Sequence, residues 1–297
     1  MTISELCWEV RRKLFPRGYP RAMGAWPLRV DPAAPPERVA ELKARAADLA
    51  ARSQYGWGQT VDFGPFAQEG FLGRGYLEIV GLLDQWGWWP ESLAGKEVAD
   101  VGCFTGGHTA LLAHRGARRV WAVDELPEHL EQARLLTDAF GLEGVEFLHS
   151  SVYKLDEAIQ PGSLDMVVLS GVLYHLSDML VGLLMMRRLL KPGGLLLIES
   201  NGADDSRRSF ANFGRYWGGM WWQPSGLCIR DMCAFMGFAD AEVRFYKPDR
   251  CLARAVHDGE AEIPFKRGMN WDFPELADAE RRTMDRRVMA GVRPRLW

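Results

Sequence analysis

The chain has 297 residues, 47% of them hydrophobic and 25% charged, which is the balance of a globular protein with room for one α/β domain and additions, or for two small domains. Lys and Arg number 36 and Asp and Glu 39, so the formal net charge is −3, and a protein that grips a polyanion through many phosphates is not expected. No run of about 20 apolar residues predicts a membrane span, and the opening MTISELCWEVRRKLF lacks the apolar centre of a secretory signal.

A cytoplasmic protein is therefore expected. The five cysteines (Cys7, Cys103, Cys228, Cys233 and Cys251) are odd in number and form no CxxC pair, so they read as reduced thiols and not as a disulfide frame or a zinc site. Residues 1–35 are mixed and Pro-rich and predict an irregular arm. Pro35 and Pro36 open a helix over about 36–52, rich in Ala, Leu, Glu and Arg. The Gly- and aromatic-rich stretch YGWGQTVDFGPFAQEGFLGRG reads as a covering loop, followed by a helix near 74–86.

From Lys96 short apolar strands alternate with helices. KEVADVG, RRVWAVD, VEFLHSS, LDMVVLS and GLLLIES are the strands; HTALLAHRG, PEHLEQARLLTDAFG and MLVGLLMMRRLL are the helices, the last stopped by Pro192-Gly193-Gly194. This order predicts a parallel sheet with right-handed crossovers. After the Trp-rich SFANFGRYWGGMWWQPS comes a helix, LCIRDMCAFMGF. The strands AEVRFYK and RCLARAV follow, too close together for a crossover, so they must form an antiparallel hairpin. The expected organisation is an N-terminal helical and loop extension, 1–90, covering the active site, a Rossmann-like core, 91–257, with a Trp-rich insertion at 202–224, and a C-terminal extension, 258–297.

The strongest local signal is DVGCFTGGHTALL. Gly102, Gly106 and Gly107 lie between a strand and a helix, where a tight turn lets backbone approach a ligand and the helix N-terminus offers free N–H groups. The spacing is G-x-x-x-G-G and not the G-x-G-x-x-G of dinucleotide sites. A turn of this kind preceded by Asp100 suits S-adenosylmethionine, which has no pyrophosphate and whose amino group favours a nearby carboxylate. Asp124, ending the second strand, is placed to accept from ribose hydroxyls or to cap the next helix. Thr105 and His108 belong to the turn, Glu125 follows Asp124, Ser151, Val152 and Tyr153 are placed to flank an adenine ring, and Ser170 ends the fourth strand.

These motifs resemble those of the class I S-adenosylmethionine-dependent methyltransferases. DVGCFTGGHTALL matches the first motif, VWAVD the second, LDMVVLSGVLYHL the fourth-strand motif and RRLLKPGGLLLIES the elements after it. The resemblance implies a seven-stranded, mostly parallel sheet with helices on both faces and the last strand inserted antiparallel. A narrower resemblance, on YGWGQTVDFG, GCFTGGHT and SGVLYHL, is to the tRNA wobble-uridine carboxymethyltransferase-like group. Its carboxymethyl-transferring members use carboxy-S-adenosylmethionine and hold the extra carboxylate with basic side chains. GWGQTVDFGPF has no Lys or Arg, so a relative that moves a plain methyl group to a small molecule is expected, with tRNA wobble-uridine modification as the alternative.

Methyl transfer is an in-line displacement at a carbon already activated by the sulfonium, so alignment supplies much of the rate, and a base helps when the acceptor holds its proton tightly. His175, after the fourth strand, is the candidate base. Tyr174 is placed to touch cofactor or acceptor, and Glu199, ending the fifth strand, to orient His175 or bind substrate. Acceptor contacts are expected from Tyr55 and Trp57 and from Arg215, Tyr216, Trp217, Trp221 and Trp222, as walls for a planar molecule beneath a glycine-hinged lid; core packing is the other reading of these tryptophans. No metal is expected, because Asp204 and Asp205 have no evident third ligand. A nucleotide-binding oxidoreductase or a non-catalytic binding module are the competing classes.

Overall fold

The central strands are buried along almost their whole length, and because successive side chains point to opposite sides, both faces of the sheet are buried. The computed structural model describes residues 18–217 and 219–259, with only the backbone at 215–217. The elements are α1 (Pro36–Arg52), β1 (Val61–Asp62), β2 (Ala67–Gln68), α2 (Gly75–Gln85), β3 (Glu97–Val101), α3 (Gly107–His114), β4 (Arg119–Asp124), α4 (Pro127–Ala139) and β5 (Val145–His149). They continue with β6 (Leu164–Ser170), α5 (Met179–Leu189), β7 (Leu190–Asn201), β8 (Ala211–Trp217), β9 (Met220–Pro224), α6 (Gly226–Phe235), β10 (Phe238–Lys247) and β11 (Arg250–His257).

The main sheet has seven strands in the order β10-β11-β7-β6-β3-β4-β5. The five strands from β7 to β5 are mutually parallel, and β11 runs antiparallel between β7 and β10. This is the Rossmann-like sheet with an inserted antiparallel strand that the motifs imply. Val98, Val120, Met166, Val168 and Leu197 face one layer, packed against α2 and Trp88 and Trp89. Ala99, Val101, Val167, Leu169 and Ile198 face the other, against α5 and Ile229 and Cys233 of α6. Residues 75–90, grouped by sequence with the extension, thus cover one face of the sheet.

The rest of the described extension has its own apolar centre. Leu28, Val30, Leu42, Ala46, Leu49, Trp57, Val61 and Phe63 pack against Leu135, Leu136 and Ala139 of α4. Arg45 is 2.7 Å from Asp138, and Arg52 is 3.1 Å from Glu131, across the same helix pair. The stretch read as a covering loop contains the small β1–β2 hairpin.

Two further differences from the sequence reading have local causes. The fifth core strand, β7, begins at Leu190, and the Pro-Gly-Gly that stops α5 lies in a bulge between the pairs Leu164–Leu190 and Met166–Leu195. The Trp-rich insertion, expected as a glycine-hinged lid, is the antiparallel hairpin β8–β9, with Trp217 opposite Met220. Gly219 lies in the turn between the two strands with a φ of 77°, a conformation glycine favours. Among the described residues no helix is long and apolar enough to cross a membrane, and the four described cysteines are free.

Candidate active site

The carboxyl ends of β3, β4, β6 and β7 lie side by side, which is where ligands bind in open α/β sheets. The glycine turn follows β3. Gly102 and Gly106 have φ of 74° and 89°, and a Cβ on Gly106 would lie 2.7 Å from that of Ala133, so both positions need glycine. Phe104 adopts φ 52° without being glycine. Asp124 holds it there, its Oδ2 accepting from the Phe104 N–H at 2.9 Å. Asp124 Oδ1 accepts from the Leu126 N–H at 3.0 Å and lies 3.0 Å from His129 Nδ1. The acid read as a ribose acceptor therefore also builds the turn and the entry of α4.

The turn is stitched to the extension. Gln59 accepts through Oε1 from the Gly107 N–H at 2.9 Å, capping α3, and its own N–H donates to Thr105 Oγ1 at 3.1 Å. Gln132 accepts from Thr105 and donates to the Gly56 carbonyl. Neither glutamine was singled out from the sequence, since glutamine carries no motif and their partners are 27 to 76 positions away.

Asp100 is 1% exposed; its Oδ2 accepts from Thr109 Oγ1 at 2.6 Å, and its Oδ1 has no partner among the described residues. Burial pushes its pKa up to about 7, against the hydrogen bond from Thr109, which lowers it. A buried carboxylate oxygen without a partner suits a cationic amino group, so the turn fits S-adenosylmethionine. His108, which opens α3 at the end of the turn, is buried, with Tyr76 and Trp89 as ring neighbours. Burial pushes its pKa down to about 4.

Glu199 does not reach His175 as expected. It is 2% exposed, and its carboxylate accepts from Arg250 Nε at 2.7 Å, Arg250 Nη2 at 2.5 Å and the Tyr246 hydroxyl at 2.8 Å. An antiparallel β11 beside β7 brings Arg250 to this edge, and a bidentate guanidinium outcompetes an imidazole for the carboxylate. Burial lowers the Arg250 pKa, while Glu199 and Tyr174 raise it, and the net direction is up. Arg250 Nη1 also donates to the Tyr174 hydroxyl at 3.2 Å, and its guanidinium lies over the Tyr174 ring.

His175 is exposed and sits in a 3-10 turn, Leu173–His175, after β6. Its Nδ1 is 2.6 Å from the Gly219 carbonyl at the tip of β8–β9, and its ring is 4.1 Å from that of Tyr174. Trp222 Nε1 donates to the Ser177 carbonyl at 2.9 Å, and Trp221 and Trp222 stand beside Phe213. The hairpin therefore brings aromatic side chains to the segment bearing Tyr174 and His175. The side chains of Arg215, Tyr216 and Trp217 lie outside the described residues. Trp57 is 4% exposed and fills the apolar centre of the extension, so it is not a wall of the cleft. Tyr55 is half exposed and lies near His129, beside Asp124.

Of the other residues expected around the nucleoside, Glu125 is exposed and its carbonyl lies 2.9 Å from His149 Nε2. Ser151 caps the turn after β5 by accepting from the Tyr153 N–H. Val152 packs on the core, and the Tyr153 hydroxyl accepts from the Asp178 N–H at 3.0 Å. Ser170 is half-buried and pairs in register with Glu199. A cavity of about 680 Å³ lined by Tyr19, Asp204, Arg230, Arg244 and Phe245 includes no residue of the glycine turn.

Comparison with known proteins agrees with this geometry. Residues 99–198, from β3 to β7, match the family model described as a methyltransferase domain. Residues 99–198 thus form a methyltransferase domain of the S-adenosylmethionine-dependent kind. It is similar to the tRNA U34 carboxymethyltransferase of Idiomarina loihiensis, 28% identical over 156 residues that make up 52% of this chain and 48% of that protein. It is also similar to the ubiquinone biosynthesis O-methyltransferase of Xanthomonas euvesicatoria pv. vesicatoria, 39% identical over 108 residues, or 36% of this chain and 44% of that protein. The chain thus spans about half the length of the curated relatives it matches. Phosphoethanolamine N-methyltransferase 2 of Haemonchus contortus, solved with S-adenosyl-L-methionine, shares the fold at a TM-score of 0.50 and 19% identity, over 60% of this chain and 52% of that one.

Proposed function

We propose that the protein transfers a methyl group from S-adenosylmethionine to an oxygen, nitrogen or carbon atom of a small, planar acceptor. The observation that carries this reading is the docking of the aromatic hairpin, with Phe213, Trp221 and Trp222, onto the turn that bears Tyr174 and His175. Flat apolar walls beside an exposed imidazole suit an aromatic acceptor whose proton must be removed. The sulfonium, when bound, supplies the activated methyl carbon. The protein's part is to hold the amino-acid end at Asp100, to fix the turn through Asp124 and Gln59, and to take the acceptor's proton at His175. The similarity to a ubiquinone biosynthesis O-methyltransferase supports a hydroxyl acceptor on a ring.

The second reading, tRNA wobble-uridine carboxymethyl transfer, is favoured by the guanidinium of Arg250 at the ligand edge beside Tyr174 and by the similarity to a protein of that name. Against it, both oxygens of Glu199 already pair with that guanidinium, and the net charge is −3. One experiment separates the two. The protein is offered S-adenosylmethionine or carboxy-S-adenosylmethionine, each with a panel of planar phenols that includes 3,4-dihydroxybenzoate, and each with bulk tRNA. Methylation of a phenol from S-adenosylmethionine is the expected result. Modification of tRNA with no phenol turned over would overturn the first reading.

A further inference from the structure

We propose that the Gly219 carbonyl, at the tip of the β8–β9 hairpin, holds His175 in the tautomer protonated on Nδ1, leaving Nε2 to take the acceptor's proton. The inference rests on the methyl-transfer reading above and adds to it the group that prepares the base. A carbonyl oxygen can only accept, so the 2.6 Å contact requires a hydrogen on Nδ1. In the neutral ring the lone pair is then on Nε2. A second ring nitrogen held by a fixed acceptor is what gives an imidazole one orientation and one protonation site.

The tip is fixed independently of this contact. Trp222 Nε1 is bonded to the Ser177 carbonyl, two residues beyond His175, and Trp222 packs against the main core. Gly219 has a φ of 77°, and a Cβ there would lie 3.3 Å from both Cε1 and Nδ1 of His175. The turn thus favours glycine, and a Cβ would also crowd the imidazole, which would have to shift. The glycines of the insertion, read from the sequence as hinges, acquire a chemical role at this one position. Gly219 is a positioning residue acting through its backbone oxygen.

The proton balance is simple. The acceptor's heteroatom forms its bond to the methyl carbon, and the carbon–sulfur bond breaks with its electron pair going to sulfur. The acceptor's proton moves to Nε2. Positive charge passes from the sulfonium to the imidazolium, whose Nδ1–H still donates to Gly219, and the imidazolium then releases the proton to water.

The test is the ¹⁵N spectrum of the His175 ring in the whole protein without acceptor, at mildly alkaline pH. The expected pattern is a protonated Nδ1 and an unprotonated Nε2; the opposite tautomer would overturn the proposal whatever the activity. In Gly219→Ala the pattern should move toward a mixture, with adenosylhomocysteine affinity by calorimetry unchanged. A folded Gly219→Ala that keeps the pure parental tautomer would refute the role of the tip. His175→Asn retains an N–H for the Gly219 carbonyl but has no Nε2, so turnover of whichever panel phenol the parent methylates should fall about 100-fold or more. Parental turnover in that variant would remove the base. Failure to bind adenosylhomocysteine sinks the methyl-transfer reading instead, so the two failures are told apart.

Discussion

Replacing Asp100 by Asn tests whether the buried carboxylate receives the cofactor's amino group. Its Oδ1 is buried with no partner among the described residues, and burial raises its pKa to about 7. A cationic group bonds only to the ionised carboxylate, so affinity should follow the ionised fraction. With that pKa roughly half the molecules are ionised at pH 7, about a tenth at pH 6 and about a hundredth at pH 5. Adenosylhomocysteine affinity should therefore fall about tenfold for each unit below pH 7 and level off above it. Calorimetry from about pH 5.5 to 8 in two buffers of different ionisation enthalpy reads both the affinity and the proton, which is released to buffer on the acid side. Asp100→Asn cannot ionise. It should bind about 10- to 100-fold more weakly at pH 8, the loss of one charge-assisted hydrogen bond of about 1.5–3 kcal/mol, and lack the slope. A parent with no slope refutes the reasoning, and a slope that the variant shares belongs to the ligand.

Asp100 and His108 should also set opposing pH dependences of stability. His108 is lowered from 6.5 to about 4, so its contribution is present above its unfolded value and is lost as pH falls through about 4. Asp100 is raised from 3.8 to about 7, so its contribution is present below its unfolded value and is lost as pH rises through about 7. In His108→Asn the urea midpoint should fall steadily between those limits, and a parental profile would contradict the assignment. Glu199→Gln should cost about 3 kcal/mol by leaving Arg250 in a half-buried site without its counter-charge, and Glu199→Gln with Arg250→Met should cost less than the sum of the two single variants; strict additivity would show that the pair is not coupled. Gly58→Ala should cost about 1–3 kcal/mol in urea titration, because its Cβ would fall 1.6 Å from the Phe104 ring, which must move aside. Trp222→Ala should lower acceptor turnover about tenfold and leave adenosylhomocysteine affinity near parental; a collapse of cofactor binding would move the hairpin to the cofactor site.

The parallel core was legible because each of its signals is local. Strands buried on both faces, such as Val167–Leu169 and Leu196–Ile198, read as continuous apolar runs, and Pro and Gly mark where the helices begin and stop. The β8–β9 hairpin was not read, although Gly-Gly between RYW and MWW is a hairpin turn signal. The tryptophans around it dominate the local composition, which says what the segment can touch and not how it pairs. Trp57 and Trp222 differ in the same way. Each lies near glycines in the sequence, yet one fills the extension's apolar centre and the other joins the hairpin to Ser177. Which of two tryptophans meets solvent depends on tertiary packing, and composition does not encode it.

The Glu199–Arg250 pair follows from the strand topology. The hairpin of the last two strands follows from their short connection, the class I resemblance implies that the last strand is inserted antiparallel, and the structure seats it beside the fifth. Together these place the first residues of RCLARAV opposite the last residues of GLLLIES. In the structure Arg250 pairs with Asn201 and Leu252 with Glu199, so Arg250 is one diagonal step from the carboxylate. A buried Glu at a strand end needs a counter-charge, and Arg250 is the cation the topology delivers there. Proximity along the ligand edge points Glu199 to His175, but the Arg250 guanidinium competes for the same carboxylate and holds both oxygens. Once Arg250 claims the carboxylate, His175 must be oriented by something else, and the backbone oxygen of Gly219 is the acceptor in reach of its Nδ1.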